Sequence, residues 1–294
     1  MIPIDFSGKV ALVTGVQDNE SFAWFISKAL QAAGAKIVLA CHPRVVGIVE
    51  SFLTRDMDKA SRKLPYVDGE LKVEKVYALD ARFDTMADVD EATRNDKRWN
   101  KFPFYAVKEV VDAVGKEFGG IDILIHSIAF AREIKNRQLE TSRSAYFEAI
   151  GISAYSLTSL LHAAQPYMEN RPGGASAVGL TYLGGSRVVP YYGGGMSTSK
   201  AALQIDAAQL AHNLGSKNIR VNLISAGPYA SRAARGIRPD FNESIEYAAK
   251  RSPLPRGIEP EEVANATVFL CSPLASAISG HTLFVDCGYN VMGV

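Results

Sequence analysis

The chain has 294 residues, with 32 Lys and Arg against 31 Asp and Glu, a net charge of +1 and 21% charged residues. That balance excludes the broad basic field of a nucleic-acid binder, and no apolar run reaches membrane-spanning length. Three widely spaced cysteines (Cys41, Cys271, Cys287) fit neither a disulfide framework nor a zinc site, so no metal is expected and a reducing compartment is the default. Residues 1–9 run straight into a strand without a signal or transit segment. The expected location is therefore cytoplasmic, or plastid if a transit peptide was removed.

Residues 10–14 are a short apolar run that reads as a buried strand ending at Gly15. Phe22, Ile26, Ala29, Leu30 and Ala33 recur at helical spacing, which predicts a helix from about Ser21 to a stop at Gly34. A second strand follows over 36–40. Strand, turn, helix and parallel strand form the opening of a dinucleotide-binding unit. The turn, Gly15-Val16-Gln17-Asp18-Asn19-Glu20-Ser21, lacks the G-x-G-x-x-G fingerprint, so the motif alone is weak. One glycine still permits the tight turn, and amides at the helix start can meet a pyrophosphate. A plain strand-to-helix turn is the competing reading.

Strands at 75–79, 121–126, 177–182, 219–224 and 282–285 continue the alternation, with helical patterns between them. The fold expected is α/β, a single domain with a Rossmann-like, doubly wound, parallel seven-stranded sheet and ligand groups at the strands' carboxyl ends. Residues 41–105 are the longest irregular region. They contain a helix-like piece over 45–60 and a polar span over 84–101, read as a solvated surface excursion because apolar spacing is absent. Asp80-Ala81 is placed for an adenine edge, with an exposed loop aspartate as the alternative. His126 reads as a hydrogen-bonded core histidine rather than a base. Small residues after it, Ser127-Ile128-Ala129, would let a cofactor lie against the backbone. One long helix is expected over 144–168.

The stretch from Tyr182 to Lys200 is unusually rich in tyrosine and glycine. A phenol held beside a lysine is a proton donor with a cationic neighbour, suited to charge developing on a substrate oxygen. The bland alternative is a glycine loop with two exposed tyrosines. Further on, the turn Ala226-Gly227-Pro228 offers backbone to a nicotinamide carboxamide. Residues 232–256 read as a mobile segment with six basic residues (Arg232, Arg235, Arg238, Lys250, Arg251, Arg256) against three acids (Asp240, Glu243, Glu246). That local excess suggests an anionic partner.

These residues resemble the short-chain dehydrogenase/reductase superfamily. Within it they are most similar to the divergent enoyl-[acyl-carrier-protein] reductases of the plant, apicomplexan and chlamydial type, and the likeness runs nearly end to end. It rests on Tyr77-Ala78-Leu79-Asp80-Ala81, Ile121-Asp122-Ile123-Leu124-Ile125-His126-Ser127, Tyr192-Gly193-Gly194-Gly195-Met196-Ser197 with Lys200, and Ile224-Ser225-Ala226-Gly227-Pro228 with Ser231-Arg232-Ala233-Ala234. The superfamily's usual four-residue tyrosine-to-lysine spacing would fall on Met196. The wider spacing from Tyr192 to Lys200, with a second tyrosine at Tyr182, marks the enoyl reductase branch.

The resemblance implies that NADH, with NADPH the alternative, binds against Gly15, Ser21, Phe22, His42, Asp80, Ala81, Ser127, Ile128, Ala129, Lys200, Ala226, Gly227, Pro228 and Ser231. It implies hydride transfer to C3 of a trans-2-enoyl thioester. Tyr192 would hydrogen-bond the thioester carbonyl, Lys200 would hold ribose hydroxyls and add positive potential, and Tyr182 would pack on the substrate. Phe130, Met196, Tyr229 and Ala233 would complete the substrate contacts. Residues 229–256 would be a substrate loop suited to an acidic acyl carrier protein. A homotetramer is implied, with no nucleic-acid or membrane partner.

The departures from the family pattern cluster at the pocket. Tyr229 replaces a small aliphatic residue, Tyr191 precedes the catalytic tyrosine, and Arg132 replaces a proline. Cys41-His42-Pro43 replaces a tryptophan-bearing turn, so His42 would stand in for an adenine-stacking ring. No acid ends the second strand, and Arg44 lies close by. Two other readings compete. One is a paralogue reducing another enoyl or carbonyl substrate, motivated by Tyr229 and Tyr191. The other is a non-catalytic NAD(H)-binding protein, against which the Tyr182, Tyr192 and Lys200 set argues.

Overall fold

Val10–Thr14 is buried along its whole length, as an unbroken apolar run must be when helices cover both faces of a parallel sheet. In the computed structural model, which describes residues 4–237 and 241–293, this strand, β1, is third of the seven in the sheet. The others are β2 (Lys36–Cys41), β3 (Val73–Ala78), β4 (Ile123–His126), β5 (Ala175–Thr181), β6 (Ile219–Ala226) and β7 (Thr282–Val285). All neighbours pair in parallel, in the order β3-β2-β1-β4-β5-β6-β7. The strands fall where the alternation placed them, with ends moved by at most two residues.

The helices are α1 (Phe22–Ala32), α2 (Val46–Thr54), α3 (Lys59–Arg62), α4 (Glu91–Asn95), α5 (Val107–Phe118), α6 (Arg143–Ile150), α7 (Ser156–Met168), α8 (Met196–Gly215), α9 (Arg232–Ile237), α10 (Phe241–Arg251) and α11 (Pro260–Cys271). One face of the sheet is covered by α1 and α11 through Ile26, Leu30, Val263 and Leu270. The other is covered by α5, α7 and α8 through Val110, Val114, Leu157, Leu160 and Leu203. Each such side chain, fully buried, contributes roughly 1.5–3 kcal/mol. The chain leaves β1 for β2 and β3 on one side and crosses back from β3 to β4 on the other, which opens a crevice at the carboxyl ends of β1 and β4.

Three expectations are corrected. The long helix over 144–168 is interrupted by a π-helical turn, Gly151–Tyr155, between α6 and α7. There the Ser153 hydroxyl accepts from the Phe130 N–H (2.8 Å) and donates to the Phe130 carbonyl (2.9 Å), tying the turn to the loop after β4. Such a widened turn is a common device beside functional sites.

The charged span over 84–101 is not merely solvated. It forms a short 3-10 turn and α4, and it docks through Val89 and Trp99, which is 2% exposed. Sparse apolar residues hid this, because the docking uses a single large ring rather than a periodic face.

Residues 232–256, read as mobile, fold largely into α9 and α10. Arg238 and Asp240 lie outside the described residues, as does the Ala233 side chain. The basic excess expected here is mostly neutralised. Arg232 pairs with Asp18 (3.4 Å), Arg235 with Glu20, Lys250 with Glu246 and Arg256 with Glu262.

Candidate active site

β5 delivers Tyr182 at its end, and a short 3-10 turn, Leu183–Gly185, redirects the chain. The loop that follows returns along the backbone of residues 133–136, where Gly193 N–H donates to the Ile134 carbonyl (3.1 Å). No side chain fits there. A Cβ at Gly193 would lie 1.9 Å from the Asn136 carbonyl oxygen, and one at Gly194, whose φ is +61°, would lie 2.4 Å from Glu133 backbone. The glycine run thus permits a flush backbone contact, and α8 begins directly after it. The result fixes Tyr192. Its ring meets Tyr182 edge to face at 5.1 Å and 68°, lies over Gly184, and rests on Met196, Ala131 and Ala149.

One turn into α8, Lys200 is 5% exposed, and its Nζ donates to the Leu180 carbonyl of β5 at 2.8 Å. Burial pushes its pKa down to about 8, because an ammonium loses hydration there. Burial acts oppositely on the phenols. Burial pushes Tyr182 up to about 12, with the Tyr289 phenol adding to the shift, and pushes Tyr192 well above the usual tyrosine range, with the Tyr182 phenol adding to it. Both are therefore neutral hydroxyl donors at physiological pH, beside a lysine whose charge titrates near it.

A cavity of about 300 Å³ is lined by Tyr182, Tyr191, Tyr192 and Lys200 on one side and by Gly15, Ser21, Phe22 and Ala226-Gly227-Pro228 on the other, with Tyr229 and Ser231 at its edge. A second, of about 490 Å³, is lined by His42, Asp80, Ala81 and Trp99. Gly15, Gln17, Ser127, Ile128 and Ala129 line both, so the two are halves of one crevice across the β1–β4 gap. Gly15 makes that join. With φ +80°, it brings its Cα so close to β4 that a Cβ would sit 2.1 Å from the Ser127 oxygen. A dinucleotide fits an elongated crevice of this kind, with backbone at its centre and a lysine at one end.

Every residue singled out for a cofactor borders one half or the other. The substrate set divides. Tyr182, Tyr192 and Tyr229 line the Lys200 half. Met196 is 3% exposed and packs with Ala131 and Ala149 against Tyr192, off the lining of either half. Phe130 lies on the far half, at the Trp99 end. Of the adjacent tyrosines, Tyr191 is 67% exposed at the rim with φ +66°, whereas the Tyr192 ring packs inward on Tyr182. Tyr229 leans on Phe22, ring centroids 5.2 Å apart, and narrows the mouth.

Asp80 lines the far half of the crevice with its carboxylate already engaged. Its carboxylate is held by Arg82 through Nε and NH2 (3.1 and 2.7 Å), by Trp99 Nε1 (2.9 Å), and lies 3.7 Å from His42 Nε2. Burial raises its pKa, but the Arg82 hydrogen bonds and charge outweigh this and keep it below the usual carboxylate range. His126 is fully buried and pushed down to about 3 by burial. Its Nε2 lies 2.7 Å from the Ser156 hydroxyl, whose own hydrogen goes to the Ile152 carbonyl. Nε2 therefore carries the ring hydrogen, and His126 is a neutral core residue.

Sequence reasoning missed Trp99, Arg82 and Ser153. A lone tryptophan inside a charged span was the available signal for the first.

The sequence profile of a known family, described as Enoyl-(Acyl carrier protein) reductase, matches residues 104–290. The chain is 47% identical to the chloroplastic enoyl-[acyl-carrier-protein] reductase [NADH] of Arabidopsis thaliana, over 100% of this chain and 74% of the relative. It is 36% identical to the enoyl-[acyl-carrier-protein] reductase [NADH] of a Nostoc species, over 99% and 100%. Its fold superposes on the Plasmodium berghei enoyl-acyl-carrier-protein reductase, solved with triclosan, at a TM-score of 0.92 and 38% identity, covering 97% of this chain and 98% of that one. Profile, full-length identity and backbone agree with the tyrosine–lysine wall and the dinucleotide crevice, and the chain belongs to the enoyl-[acyl-carrier-protein] reductase family of short-chain dehydrogenases/reductases.

Proposed function

We propose that the protein reduces the C2=C3 double bond of a trans-2-enoyl thioester carried on acyl carrier protein, using NADH, in fatty acid biosynthesis. The observation that carries this is the placement of Tyr182, Tyr192 and Lys200 on one wall of a crevice that continues into a dinucleotide-sized channel. When bound, the reduced nicotinamide supplies a hydride to C3.

Everything else falls to the chain's own residues. Tyr192 donates its phenolic hydrogen to the thioester carbonyl oxygen, where negative charge collects before C2 takes a proton. A neutral donor fixed in a water-poor site costs no reorganisation as that charge appears. Lys200 adds positive potential from within α8, and its hydrogen bond to Leu180 holds Nζ at the strand end. Tyr182 holds the Tyr192 ring by its edge contact. Tyr191 and Tyr229 flank the mouth and limit water entry.

A homotetramer follows from the same reading, with the outward apolar side chains Phe147, Tyr155 and Ile205 of the helical layer as the contact. The location is the cytoplasm, or a plastid as for the relatives named chloroplastic. Among the described residues no helix is long and apolar enough to cross a membrane.

The test is NADH oxidation, followed in the near ultraviolet, with crotonyl and longer enoyl thioesters. Rapid thioester-dependent loss supports the proposal. Tight NADH binding without turnover would instead favour a reductase for another enoyl or carbonyl substrate, which the narrowing by Tyr229 over Phe22 would explain.

A further inference from the structure

The adenosine end of the crevice carries an arginine that the hydride chemistry does not use. In dinucleotide-binding sheets the residue after the second strand meets the adenosine ribose. A carboxylate there accepts from the 2′-hydroxyl and repels a 2′-phosphate, whereas an arginine accommodates the phosphate. Here β2 ends at Cys41, and His42, Pro43 and Arg44 follow. His42 cannot replace the carboxylate, because its ring is already engaged. Nδ1 accepts from the Arg44 N–H (3.3 Å), Nε2 faces Asp80, and the ring edge meets Trp99 at 5.3 Å.

Three guanidinium groups surround the Trp99 indole: Arg44 at 4.9 Å, Arg98 at 5.4 Å and Arg82 at 5.7 Å. Two have counter-charges, Arg82 on Asp80 and Arg98 on Asp96 (each 2.7 Å). Arg44 is in no ion pair among the described residues. It lines the crevice and is exposed to it. Of the two carboxylates on this lining, Asp80 is satisfied by Arg82, and Glu148 lies 3.6 Å from Arg132. The local field at Arg44 is therefore positive. Stacking on the indole also holds the guanidinium fork ready for a bidentate anion.

We infer that Arg44, supported by Trp99, forms a subsite for a 2′-phosphorylated adenosine, so that the crevice accepts NADPH alongside NADH. This rests on the reading of the crevice as a dinucleotide site.

Calorimetric titration of the full chain with ADP and with 2′,5′-ADP tests it without turnover. Trp99 emission is a second readout, since the only other tryptophan, Trp24, is fully buried in α1. The expected result is 2′,5′-ADP binding at least as tightly as ADP. Arg44→Gln should then weaken 2′,5′-ADP about 10- to 100-fold, the loss of one charge-assisted bidentate contact, while changing ADP affinity by less than about threefold. Arg44→Lys should restore part of the loss, which also shows that the site is folded. The inference is overturned if 2′,5′-ADP binds more than about tenfold weaker than ADP, if Arg44→Gln weakens both equally, or if inorganic phosphate alone binds as tightly as 2′,5′-ADP. Failure of both nucleotides to bind would overturn the dinucleotide reading itself.

Discussion

Replacing Tyr192 by Phe removes one hydroxyl and leaves the ring. The packing that fixes the ring, against Tyr182, Gly184 and Met196, uses carbon atoms that the substitution retains. The hydrogen bonds of Tyr192 to Val189 and from Ser197 run through its backbone, so neither is broken. Folding stability should therefore change by less than about 0.5 kcal/mol, as for a substitution that breaks no buried contact. The rate should not be spared. Losing one preorganised donor to a developing oxyanion costs about 2.7–4 kcal/mol of transition-state stabilisation, or roughly 10²–10³ in kcat. The assay is NADH oxidation with an enoyl thioester, run beside a fluorescence titration of NADH. The expected result is a collapse of kcat with unchanged cofactor affinity. A kcat within about threefold of the unsubstituted protein would refute the assignment of the donor to Tyr192. A parallel loss of NADH binding would show that the hydroxyl serves the cofactor rather than the substrate.

Lys200 makes activity and stability move in opposite directions with pH. Its folded pKa of about 8 lies below the ordinary 10.5, so between those values the unfolded chain holds the extra proton and this group's contribution to stability rises with pH. The cation it supplies to the site disappears over the same window, so kcat/KM should fall with an apparent pKa near 8. Lys200→Met should lose both the alkaline activity limb and the pH slope of Tm, measured without ligand. Gly194→Ala should displace the Tyr192 loop, because a Cβ 2.4 Å from Glu133 backbone must move about 1 Å to reach ordinary contact. A shift of that size costs about 10²-fold in turnover, and Tm and kcat should fall together. Tyr229→Ala should remove the Phe22 ring contact, worth about 0.5–1.5 kcal/mol, and widen the mouth. Its kcat/KM ratio for long over short enoyl thioesters should rise.

Much of this protein is local in character. The seven strands could be read from short apolar runs, because in a parallel sheet covered on both faces each strand is apolar throughout. The pairing of Tyr192 with Lys200 could be read because both lie on one strand–loop–helix segment, where spacing along the chain is close to spacing in the fold. Other features had no such local trace. Trp99 and Asp80 are joined across the insertion, and the hydrogen bond between them helps to occupy the Asp80 carboxylate. Met196 sits at the first residue of α8, and only its packing with Ala131 and Ala149 sets it against Tyr192. The π-helical turn at Gly151–Tyr155 depends on Ser153 reaching the Phe130 backbone, and a run of helix-compatible residues conceals it. Arg232 and Arg235 read as free positive charge until tertiary structure set them against Asp18 and Glu20. The sequence alone determined the order of elements and pointed to the candidate reacting groups. Which side chains remain free to meet a ligand was decided by contacts between residues far apart in the chain, since a charge or ring is available only if no distant partner has already taken it.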